Sequence, residues 1–175
     1  MDQGQASTAL TPLQTIGILI ALIPGLAPLL YAGHVLGVGD FMFIGFIFVT
    51  FWMGVQHAAP QEFAPALLGC FAGLAQGFAL KVVPAEYGTA GAVIGGLSLA
   101  LTLYLLIRKQ MPLLFNQAFA LTLAVAASFS FDAAADYVAS GIALGLCGAY
   151  AGGLVLLGKV MAARKASRLA AGSAA

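Results

Sequence analysis

In a chain where only 7% of residues are charged, the segment FWMGVQHAAPQEFAPALLGC (residues 51–70) sets Gln56, His57, Gln61 and Glu62 almost side by side. Histidine titrates near neutrality, so His57 could serve as a proton acceptor or a pH-sensitive gate; a solvated side chain at a turn is the plainer reading. Pro60 and Gln61 read as a tight turn, Glu62 falls where a helix dipole favours a carboxylate, and Pro65 is tolerated so near a helix start. Gln76 lies within an apolar run and, by helical spacing, shares a face with Gly69, Gly73 and Gly77. Such an amide either bonds a neighbouring helix or coordinates a solute along a path between helices. Thr50, Asn116, Gln117 and Thr122 could extend that path, with His57 and Asn116 at its cytoplasmic mouth.

Other chemistry fares poorly. The chain has no G-x-S-x-G, no H-E-x-x-H and no phosphate-cradling glycine loop after a strand, so no catalytic residue is expected. Cys70 and Cys147 show no metal-ligand spacing and read as unpaired small hydrophobes; neither metal nor cofactor is expected. Asp132 and Asp136 are four apart but read as a hydrophilic turn capping a helix. With no basic domain, nucleic-acid binding is not expected.

The elements that must carry these residues are apolar. Hydrophobic residues make up 62% of the chain, glycine occurs 22 times and the mean hydropathy is +1.02, far above a soluble domain. About 20 apolar residues span a bilayer as a helix, and such runs fall at about 11–32, 41–58, 62–82, 87–107, 112–131 and 137–160. No stretch alternates as barrel strands do. The fold class expected is an all-α membrane protein, a six-helix bundle forming a single integral membrane domain over residues 1–175. Residues 1–10 lack the basic region of a cleavable signal and are expected to form a cytoplasmic N-terminus, with the first helix retained in the mature protein. Pro24 and Pro28 predict a kink in that helix. Arg108, Lys109, Lys159, Arg164, Lys165 and Arg168 fall on one side of six crossings, which predicts both termini in the cytoplasm. The basic tail, residues 161–175, serves as a topology anchor and could touch anionic lipid.

Small residues recur every fourth position in two helices: Gly69, Gly73 and Gly77, then Gly141, Gly145, Ala149 and Gly153. Such rows let membrane helices approach closely. An offset of 76 residues relates the two, carrying Gly69 to Gly145 and Leu68 to Leu144. Three crossings reverse direction, so this offset suggests two inverted three-helix repeats, as in many transporters.

The segments HAAPQEF, RKQ at 108–110 and ALGLCGAYAGG, followed by the basic tail, resemble a family of small bacterial inner-membrane proteins of the YcdZ type. Glu62 and Phe63 depart from that pattern where small residues are expected, and Asn116 and Gln117 are unusual for it. The resemblance implies topology and an inner-membrane location, and no activity. The sequence thus leads to a small-solute channel or facilitator, its path lined by Gln76, Gly69, Gly73, Gly77, Gly145, Ala149 and Gly153. Ion coupling is disfavoured because no charge falls at mid-membrane. The alternative is a structural or accessory subunit whose glycine faces dock against partner subunits or a second copy.

Overall fold

The computed structural model describes residues 26–128, 131 and 133–172, all helix and connecting turn, with no strand among them. The first ten residues, most of the expected first helix including Pro24, and Asp132 lie outside the described residues. Helix α1 is Leu26–Val35. A 3-10 turn at Gly39–Phe41 leads into α2, Met42–Thr50, which continues as a π turn over Phe51–Val55. Then follow α3, Phe63–Ile107, α4, Gln117–Ser128, and α5, Ala134–Gly172.

Two of these, α3 and the Ala134–Leu157 part of α5, are long and apolar enough to cross a bilayer. The expectation of six spans is corrected on this point. Among the described residues, Leu26–Val35, Gly39–Val55 and Gln117–Ser128 are shorter apolar helices. The expected helices 62–82 and 87–107 both lie in the stretch Phe63–Ile107 as two helices joined across a kink, with residues 83–87 continuing the first helix instead of looping. The stretch reverses at Gly88, whose φ of 58° and ψ of −135° suit only a residue without Cβ. Its two arms, 63–87 and 89–107, fold against each other. Gly91 meets the Val83 carbonyl, and a methyl on Gly95 would lie 2.7 Å from the Ala79 carbonyl oxygen. Helix α4 starts later than the expected 112, at the residue after Asn116, because Pro112 and Asn116 break and cap the chain there. Helix α5 runs past the expected 160, since MAARKASRLAA is built of good helix formers.

The first arm of α3 is the hub. Helix α4 runs parallel to it, Gly69 lying under Asn116, Gly73 under Phe119 and Thr122, and Gly77 under Ala126. Helix α5 runs antiparallel to it, pairing Gly152 with Phe63, Gly148 with Leu67, Gly145 with Phe71 and Gly141 with Leu74. On its other side α5 takes α2 at Gly45, which sits against Ala143 and Cys147, and α1 at Leu29. Phe41, Phe43, Phe131 and Tyr137 stack at one end of the bundle; Phe48, Trp52 and Phe63 do so at the other.

Apolar surface is turned outward to a degree that a soluble core does not show. Only 17% of the most apolar stretch of α3 and 33% of that of α5 are buried within the protein. Val93, Ile94, Leu97, Leu101 and Ile107 of the second arm are all exposed. Charges are sorted to the ends. By the pairing above, Glu62, Arg108, Lys109 and the α5 segment beyond Leu157 share one end, while Asp40, Glu86 and Asp136 share the other.

Candidate functional site

Gln76 is 6% exposed, and its Nε2 donates to Ser98 Oγ at 2.9 Å, whose hydroxyl in turn donates to the Gly95 carbonyl at 2.8 Å. The amide therefore ties the two arms of α3 together across the tight Gly91/Gly95 contact. Ser98 was not among the residues that sequence reasoning selected; its signal is a hydroxyl in GGLSLALTLYLL about as far beyond Gly88 as Gln76 stands before it.

The glycine row Gly69, Gly73 and Gly77 faces α4 instead, and α4 fills it. A methyl at Gly73 would lie 2.6 Å from the Phe119 carbonyl oxygen and 2.9 Å from the Leu123 nitrogen. Asn116 holds the start of this seam. Its Oδ1 accepts from the Phe119 N–H at 3.2 Å, capping α4, while its Nδ2 donates to the Pro65 carbonyl at 2.7 Å and the Pro112 carbonyl at 3.1 Å. Asn116 is thus a cap and a bridge between helices. Cys70 and Cys147 are free and buried, and the Cys70 thiol faces the Ala118 carbonyl at 4.0 Å on the same seam.

The second row divides. Gly145 packs on α3, but Ala149 and Gly153 are exposed, and no heavy atom lies within 4 Å of where a Gly153 Cβ would stand. Both line an open apolar groove of about 580 Å³ with Pro60, Phe63, Leu67, Gly148 and Gly152. A second groove of about 510 Å³ continues the α3–α5 seam past Phe71, Leu74 and Tyr137. A third, of about 360 Å³, lies between α2 and α4 and includes Thr50. The seven expected path residues therefore do not gather: Gln76 faces Ser98, three glycines face α4, and Ala149 and Gly153 face outward.

His57 is exposed, and with Ala58 it adopts the left-handed region, at φ of 52° and 54°. The turn is held by the Ala58 N–H donating to the Trp52 carbonyl and by the Trp52 indole donating to the Ala59 carbonyl, each at 3.0 Å. Trp52, 3% exposed, so buries its ring against Phe48 and Phe63 while its one polar atom stops the helix. At the other end Asp136 accepts from the Ala133 N–H at 3.2 Å, the helix-capping role expected of it. The Tyr137 hydroxyl donates to the Ala126 carbonyl at 3.3 Å near the end of α4.

Two further polar residues lie inside the bundle. Thr122 and Ser140 are 1% and 0% exposed; the Thr122 hydroxyl lies against the Cys70 thiol, and the Ser140 hydroxyl has no hydrogen-bond partner among the described residues. No family profile, curated protein or solved structure matches this chain. Its function is read from geometry alone.

Proposed function

We propose that the chain is a multi-pass integral protein of a bacterial inner membrane, with cytoplasmic termini, serving as a structural or accessory subunit of a membrane complex or homo-oligomer. The observation that carries the structural role is the closure of the Gly69/Gly73/Gly77 row by α4, with Asn116, Phe119, Thr122 and Ala126 seated on it. Space that a solute would need is occupied by backbone. The outward apolar surface of α3 and α5 speaks for lipid around them. Gathering of Arg108, Lys109 and the basic stretch of α5 at one end favours that end as cytoplasmic.

Counted by arm, α3 supplies two of the crossings, since residues 63–87 and 89–107 are each close to the roughly 20 residues a span takes, and α5 supplies a third. The packing order also suits an inverted repeat. The first arm of α3 touches its hairpin partner, α4 and α5, and α5 touches α1, α2 and the first arm of α3. Exchange of the two halves maps one set of neighbours onto the other. Kinship with YcdZ-type proteins belongs to the same proposal and adds the same topology.

Membranes washed at alkaline pH should retain the protein, and gentle detergent extraction should yield it with a partner or a second copy in native mass analysis. Solute flux into liposomes carrying the purified protein should equal that of empty liposomes. A flux that Gln76→Leu abolishes would instead establish the facilitator. That second reading is kept because Ser140 buries a hydroxyl with no partner among the described residues, which a transient solute or water would satisfy.

A further inference from the structure

The α3–α5 groove and the charge beside it belong to one feature. Its lining on α5, Gly148, Gly152, Val155 and Leu156, follows the spacing of three and four that keeps residues on one helix face. The same spacing continues to Lys159 and then to Ala163 and Arg164, so a basic stretch begins one turn beyond the last apolar residue of the groove. Across the groove, the wall is Pro60, Phe63 and Leu67, Glu62 being the chain neighbour of Phe63. Against the single carboxylate of Glu62, this end of α5 brings Lys159, Arg164, Lys165 and Arg168. An apolar trough of about 580 Å³ open at the side, ending at positive charge, matches an acyl chain carrying an anionic headgroup.

We propose that this groove binds an anionic phospholipid, one acyl chain lying along Phe63, Leu67, Gly148 and Gly152 and the phosphate at the Lys159 turn of α5. The proposal rests on the membrane reading above. Glycine at 153 has a purpose in it, since its missing side chain deepens the trough: Gly153 meets nothing among the described residues, whereas Gly148 and Gly152 admit the side chains of Leu67 and Phe63 that form the opposite wall.

The test uses the full chain in detergent, titrated with phosphatidylglycerol, phosphatidylcholine and glycerol 3-phosphate and followed by native mass spectrometry. Wild type should retain phosphatidylglycerol over phosphatidylcholine by about fivefold for each basic residue engaged. Gly153→Phe should fill the trough and release both lipids while leaving the melting temperature unchanged. Lys159→Gln should keep lipid bound and lose about fivefold of the preference. Equal retention of both lipids, indifferent to Gly153→Phe, would overturn the proposal. So would glycerol 3-phosphate competing as well as the intact lipid, which would reduce the site to a phosphate patch. A dimer abolished by Gly153→Phe with lipid retention unchanged would assign the groove to a second copy and likewise overturn it. Recovery of the protein from cells in the aqueous fraction without detergent would sink the membrane reading itself, an outcome distinct from all of these.

Discussion

The two seams of the first α3 arm use the same small residues to opposite ends. Against α4, glycine brings backbone to backbone: Gly73 faces the Phe119 carbonyl and the Leu123 nitrogen. Against α5, glycine faces side-chain tips, Gly148 lying against Leu67 Cδ1 and Gly152 against Phe63 Cζ. Backbone cannot rotate away from an added methyl, whereas the end of a leucine can. One seam is therefore a rigid joint and the other an adaptable, partly open groove. Spacing of small residues tells that helices come close; it does not tell what they come close to.

The sharpest way to break this comparison is a single methyl in each seam. Gly73→Ala places its Cβ 2.6 Å from a carbonyl oxygen and should cost about 3 kcal/mol, the upper part of the overpacking range, outweighing the gain of about 1 kcal/mol in helix propensity. Reversible unfolding in mixed micelles would measure it. A neutral result would mean that α4 slides freely, and the rigid-joint description would fail.

Asn116→Ala comes next. It removes the cap on α4 and the donor to Pro65, and should cost about 1.5 kcal/mol in the same assay. Asn116→Asp keeps an oxygen for the Phe119 N–H but loses the Nδ2 donor, so it should recover about half of that loss. If Asp is as damaging as Ala, the bridge to Pro65 dominates and the cap contributes little.

Much of this was legible in the sequence. Apolar composition, the helical class and the sorting of charges followed from counting, and the Gly69/Gly73/Gly77 row read correctly as a close contact. Row two did not, for a geometric reason. Steps of four overrun a 3.6-residue turn by about 40° each, so Gly141, Gly145, Ala149 and Gly153 spiral out of the seam. The true contact alternates steps of four and three, through Gly141, Gly145, Gly148 and Gly152. Gln76 was legible in part, a bond to a neighbouring helix being one of its two readings. It stands at the edge of the glycine face, and which neighbour lay beyond that edge depended on the reversal at Gly88, a tertiary fact that local pattern does not carry. The role of Trp52 depends on the turn at Ala59, whose carbonyl its indole meets, and that turn is likewise a tertiary fact.

Gln76→Leu should have a smaller effect than either change in the α4 seam. Interhelical hydrogen bonds in membrane proteins average about 0.6 kcal/mol, and Ser98 keeps its own bond to Gly95 when the amide is gone. Ser98→Ala and the double variant complete a cycle. Coupling near zero would show that the hairpin is held by the glycine contact alone.

The smallest effects belong to the α5 seam, and they sharpen the comparison because the same Gly→Ala change should reverse its sign. At Gly148 the new Cβ would lie 2.9 Å from Leu67 Cδ1, a flexible tip bordering an open groove, so the leucine shifts outward at small cost. The helix gains about 1 kcal/mol of propensity, and the net should fall within about 0.5 kcal/mol of zero. At Gly153, with no heavy atom within 4 Å, only the propensity gain remains, and Gly153→Ala should stabilise by about 0.5 kcal/mol. Measured beside Gly73→Ala in one micelle system, the series Gly73, Gly148, Gly153 should run from strongly destabilising through neutral to slightly stabilising. A Gly153→Ala variant that is clearly destabilised would mean that something seats tightly at this position in the folded assembly, and a repeat in lipid-free and lipid-supplemented micelles would tell whether that occupant is lipid or a second helix.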